Sequence, residues 1–85
     1  MEIAVEISLY PLDADYIPPI QGFIDRLQGI RGLKVVTNSM STQIFGAYED
    51  VMGALTRELR GTFAAVDKAV FVMKVLGPLE GPLPA

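Results

Sequence analysis

Apolar and polar residues alternate strictly from Glu2 to Tyr10. Ile3, Val5, Ile7 and Leu9 fall on one side, and Glu2, Ala4, Glu6, Ser8 and Tyr10 on the other. A period of two sustained over this length predicts a strand with one buried face. Pro11 is expected to close it, because proline cannot donate to a ladder. Asp13-Ala14-Asp15 then offers short carboxylates of the kind that cap a helix start. From Tyr16 the period changes: Ile17, Ile20, Phe23, Ile24, Leu27 and Ile30 recur at steps of three and four, the stripe of an amphipathic helix. Pro18 and Pro19 fall in its first turn, where proline is tolerated, and Gly29 and Gly32 bracket its end.

The second half repeats this alternation of periods. Leu33 to Thr37 and Met40 to Phe45 are predicted strands joined by a tight turn at Asn38-Ser39, residue types that favour turns. A second helix is predicted over Tyr48 to Thr62, with Val51, Met52, Leu55, Leu59 and Phe63 on one stripe. Its Glu49 and Asp50 lie in the first turn and Arg57 and Arg60 towards the end, as the helix dipole favours. Ala69 to Leu76, rich in Val and Phe, is a fourth strand. The order β-α-β-β-α-β with right-handed crossovers gives a ferredoxin-like α+β sandwich: a four-stranded antiparallel sheet with both helices on one face. The domain is expected to occupy residues 1–76. Residues 77–85, rich in Gly and Pro, read as a tail, either disordered or an arm clasping a neighbour.

The uncovered sheet face changes the picture. It would carry Glu2, Ala4, Glu6, Ser8 and Tyr10 on the first strand, and in one register Val70, Val72 and Leu76 interleaved with Lys68 and Lys74 on the last. A face this apolar usually meets another subunit, so a homodimer or homotetramer is expected.

Composition removes whole classes of chemistry. The 85 residues include no Cys and no His, which excludes disulfides, thiol nucleophiles, imidazole zinc sites and a Ser-His-Asp triad. Asp13-x-Asp15 lacks the further ligands and the glycine of a calcium loop, so no metal and no cofactor is expected. No carboxylate pair is placed as an acid–base couple, no phosphate-binding glycine loop is present, and no catalytic residue is assigned; the chain reads as a non-enzyme. A net charge of −3 and a pI near 4.7 argue against nucleic acid as a partner. The run from Met1 to Glu6 carries acids within its apolar residues and is not expected to act as a signal peptide. No apolar stretch approaches the ~18 residues of a membrane span. The expectation is a soluble, cytoplasmic domain.

Two segments resemble a known family. Ile7-Ser8-Leu9-Tyr10-Pro11-Leu12-Asp13-Ala14-Asp15-Tyr16-Ile17 is similar to the first-strand-to-helix junction of the YkoF-like family of thiamine/hydroxymethylpyrimidine-binding proteins, in which a Leu-Tyr-Pro-Met-like run precedes an Asp and an aromatic. Thr37-Asn38-Ser39-Met40-Ser41-Thr42-Gln43-Ile44-Phe45-Gly46 resembles its second hairpin, with a Ser-Thr pair and a glycine four residues beyond the threonine. The chain departs from the pattern with Leu12 for Met, Tyr16 for Phe, and Asn38 where an Asp can occur. The family's namesake joins two such domains in tandem, so the equivalent assembly here would need a dimer or tetramer.

The resemblance implies reversible binding of thiamine or its hydroxymethylpyrimidine moiety, a small-molecule ligand, without chemistry on it. Such a ligand wants ring surfaces, oriented hydrogen-bond groups and a carboxylate or π-face near its cation. The two segments supply Tyr10 and Tyr16 as rings, Thr37, Asn38, Ser41 and Thr42 as hydrogen-bonding groups, and Asp15 as a charge. Each has a plainer reading. Asp15 caps the first helix, Tyr10 packs in a subunit interface, Ser41 and Thr42 are cross-strand filler, and Glu6 pairs with Lys68 or Lys74. An alternative to ligand binding is an assembly or regulatory subunit that meets a partner protein through the open sheet face.

Overall fold

The computed structural model describes residues 1–80. It contains β1 (Glu2–Pro11), α1 (Ile17–Gln28), β2 (Lys34–Thr37), β3 (Thr42–Ala47), α2 (Tyr48–Ala65) and β4 (Ala69–Leu79). The strands pair antiparallel in the order β2-β3-β1-β4. With the two helices on one side, this is the ferredoxin-like α+β fold. Among the described residues no helix is long and apolar enough to cross a membrane.

The alternation in β1 sorts its residues as the pattern predicts. Ile3, Val5, Ile7 and Leu9 are buried beneath the helices together with Ile44 of β3, Phe23 and Leu27 of α1, and Val51 and Leu55 of α2. Directly paired residues share a face in an antiparallel sheet. Glu6↔Gln43 and Ala4↔Phe45 on one flank, and Glu6↔Lys74, Ser8↔Val72 and Tyr10↔Val70 on the other, therefore lie on the side away from the helices. There Val70, Val72 and Leu76 are exposed, and Glu6 pairs with Lys74 across the strands at 3.7 Å. The core continues onto β4 through Phe71, whose ring lies 5.3 Å from Phe23 and 5.5 Å from Phe63, the latter edge-on. Arg26 of α1 and Glu58 of α2 form an ion pair that ties the two helices together.

Several boundaries differ from the sequence pattern, each for a local reason. Met40 and Ser41 are not in β3. Their main-chain N–H groups both donate to Asn38 Oδ1, at 2.8 and 3.1 Å, and this side-chain turn absorbs them. The second helix does not stop at Thr62 but runs to Ala65, which carries Phe63 onto Phe71 and leaves its last turn without a basic residue. β4 continues through Gly77 and Pro78 to Leu79. As an edge strand it tolerates the missing Pro78 N–H. Gly77 passes so close to β1 that a Cβ there would stand 2.6 Å from Ile3 Cγ2. Residues 77–79 are thus part of the sheet rather than of a tail; residues 81–85 lie outside the described residues.

Asp15 does not cap α1. The residue preceding the helix is Tyr16, and no side chain caps the first turn. Ile17 begins the helix and Pro18 and Pro19 follow at once, so the positions whose amides a capping carboxylate would take have no N–H to give. The nearby carboxylate that does form a hydrogen bond is that of Asp13, which accepts from the Asp15 N–H at 3.0 Å.

Candidate functional site

β1 is longer than its pairing with β3. That ladder ends at Ile7↔Thr42, whereas pairing with β4 continues to Pro11↔Ala69. Where β3 gives way to the hairpin turn, the chain leaves a notch beside Ser8–Pro11, and the start of α1 stands over it. The notch is a cleft of about 400 Å³, within the range of small-molecule sites.

Its parts follow from burial. Ile7, Leu9, Phe23 and Thr42 are buried and form the depth of the cleft, Ile20 and Ile24 of α1 are half-buried along its wall, and Tyr10, Tyr16, Asn38 and Met40 are exposed at its rim. The Thr42 hydroxyl lies 2.8 Å from that of Thr37, so each of the pair has one hydrogen-bond partner at hand. Ser41 Oγ donates to Glu6 Oε2 at 3.1 Å, and the other oxygen of that carboxylate faces Lys74. Ser8 Oγ donates to the Met40 carbonyl at 3.4 Å. Asp, Glu, Lys and Arg are absent from the lining. Its polar side chains are hydroxyls and the Asn38 carboxamide.

Tyr10, Tyr16, Thr37, Asn38, Ser41 and Thr42 all line this one cleft, though they come from β1, the segment before α1, and both sides of the hairpin. Asp15 does not line it: it lies in the exposed turn that Asp13 organises. The sequence reading did not place Ile7, Ser8, Leu9, Pro11, Ile20, Phe23, Ile24, Ser39 and Met40 in the site; these nine complete the lining. The three α1 residues were legible only as core stripe. A second hollow of about 310 Å³ lies on the open sheet face around Ala4, Phe45, Lys74 and Leu76.

The family model for YKOF-related proteins matches residues 2–75. The chain belongs to the YKOF-related family. The cleft and both strands that form its sides lie within the matched residues. Among solved structures, a hypothetical protein from Methanocaldococcus jannascii superposes with a TM-score of 0.80 at 23% identity, covering 95% of this chain and 84% of that one. A Streptococcus pneumoniae protein gives a TM-score of 0.85 at 21% identity, covering 93% and 89%. A Thermotoga maritima protein, provisionally described as a thiamine biosynthesis/salvage protein, gives 0.68 at 19% identity, covering 88% and 82%. At these identities the likeness is one of fold. No curated protein matches the chain.

Proposed function

We propose that this domain binds thiamine or its hydroxymethylpyrimidine moiety reversibly in the cleft between β1, the β2–β3 hairpin and α1, without transforming it. The observation that carries the reading is the convergence of Tyr10, Tyr16, Thr37, Asn38, Ser41 and Thr42 on one cleft of ring-binding size. Membership of the YKOF-related family and the thiamine-related description of the Thermotoga maritima neighbour support it. With no carboxylate in the lining, contact with a thiazolium cation falls to the tyrosine rings at the rim rather than to Asp15. Calorimetric titration with thiamine and with hydroxymethylpyrimidine tests the proposal: heat of binding to one site per chain is expected, and no heat at millimolar ligand overturns it.

The domain acts, on this reading, as a homodimer or homotetramer joined through the face away from the helices. Val70, Val72 and Leu76 stand 45, 54 and 64% exposed there beside Tyr10, an apolar surface that association would bury. Sedimentation velocity on the purified protein is expected to give a mass of two or four chains.

A further inference from the structure

The direction of each main-chain hydrogen bond in β1 follows from its two ladders. Leu12 N–H donates to the Lys68 carbonyl at 3.0 Å, one step beyond Pro11↔Ala69. Hydrogen-bonded and non-hydrogen-bonded pairs alternate in an antiparallel ladder. Leu12, Tyr10 and Ser8 therefore turn their main-chain groups towards β4, and Pro11, Leu9 and Ile7 turn theirs the other way. The opposite flank agrees: Tyr48 N–H donates to the Met1 carbonyl at 2.9 Å, continuing Glu2↔Ala47, so odd-numbered residues of β1 face β3.

The last of these to find a partner is Ile7, opposite Thr42. The next would be Leu9, opposite Met40. Met40 has turned away, however: its N–H goes to Asn38 Oδ1 and its carbonyl takes the Ser8 hydroxyl. The N–H and C=O of Leu9 are left without a partner among the described residues, on a residue that is 7% exposed and lines the cleft. Unpaired main-chain groups in such a setting are costly. The next residue on that side, Pro11, has no N–H, so a strand could not add here and propagate. What is available is one donor and one acceptor, side by side, under Ile20 and Ile24.

We propose that Leu9 reads its ligand through the main chain. An edge bearing a ring nitrogen acceptor beside an exocyclic amino donor, as in a 4-aminopyrimidine, lies in the plane of the sheet and takes the place that Met40 would hold in a longer β3. The proposal rests on the ligand-binding reading above and specifies the edge of the ring that the protein recognises. Recognition of this kind is indifferent to the Leu9 side chain and strict about the donor–acceptor order of the ligand.

The test is titration of the ¹⁵N-labelled protein with hydroxymethylpyrimidine and with the same ring lacking its amino group. The Leu9 amide is expected to shift most among the β1 amides and to exchange with deuterium at least about tenfold more slowly in the complex. The ring without the amino group is expected to bind about tenfold more weakly, the loss of one hydrogen bond. If hydroxymethylpyrimidine binds while the Leu9 amide stays unmoved, or if both rings bind equally, main-chain recognition is overturned and the ligand-binding reading stands. If neither ring binds, both fall.

Discussion

The two flanks of β1 make opposite uses of the same strand. On one side β3 stops early, the helices close over it, and a cleft with a buried floor opens where the missing pairs would be. On the other side β4 pairs past the end of that ladder, and the helix layer covers it only around Ala69 and Phe71. Val70, Val72, Met73, Val75 and Leu76 are all at least 40% exposed, on both faces of β4. β4 is the more continuously apolar of the two neighbours and yet the more exposed, so hydrophobicity alone does not decide which becomes core. Position relative to the helices does. A short strand beneath helices leaves a recess, and a long strand beyond them leaves an open apolar surface.

The comparison can be broken most forcefully at Phe23, which links the flanks by lining the cleft and packing its ring, tilted, against Phe71 of β4. Phe23→Ala is expected to cost about 3–5 kcal/mol in urea unfolding, the usual cost of truncating a buried aromatic, and to abolish thiamine binding. A loss below about 1 kcal/mol would mean that the two regions are independently supported. Gly77→Ala tests the far side alone. The new methyl collides with Ile3, so a loss of about 1–3 kcal/mol is expected, with thiamine affinity unchanged in the molecules that remain folded.

Thr42→Val tests the cleft side alone. It removes the hydroxyl facing Thr37 at a cost of about 1 kcal/mol in stability, and calorimetry should show thiamine affinity reduced about tenfold. Unfolding of the variant would make Thr42 structural rather than a ligand contact. Val72→Lys, at an exposed position of β4, should change stability by less than about 0.5 kcal/mol while shifting sedimentation towards a single chain. The smallest effect belongs to Lys74→Ala. Its pair with Glu6 is 3.7 Å long with the lysine 83% exposed, and loss of a surface pair of this kind is worth about 0.5 kcal/mol or less, vanishing in high salt.

Much of this was legible in the chain. The strict alternation through β1 and the three-and-four spacing of α1 and α2 each point to one structure and agree with one topology. Six side chains of the cleft could be named because the two segments that resemble the YkoF-like family carry aromatics and hydrogen-bonding groups at the end of β1 and in the hairpin. What the pattern hid was competition from side chains. Asn38 captured the amides of Met40 and Ser41, and this moved the start of β3. The failure of Asp15 as a cap was readable in principle, since Pro18 and Pro19 remove the donors it would need. The extent of β4 was not, because Gly77 and Pro78 are acceptable in a strand only at an edge and against a particular neighbour.

The turn closed by Asn38 has a consequence for how such a domain can change over generations. The hairpin it terminates is two residue pairs too short to cover Leu9, and that shortfall makes the room. An insertion of two residues on each arm would let the polypeptide itself fill the space. The size of the recess is thus set here by loop length as much as by residue identity.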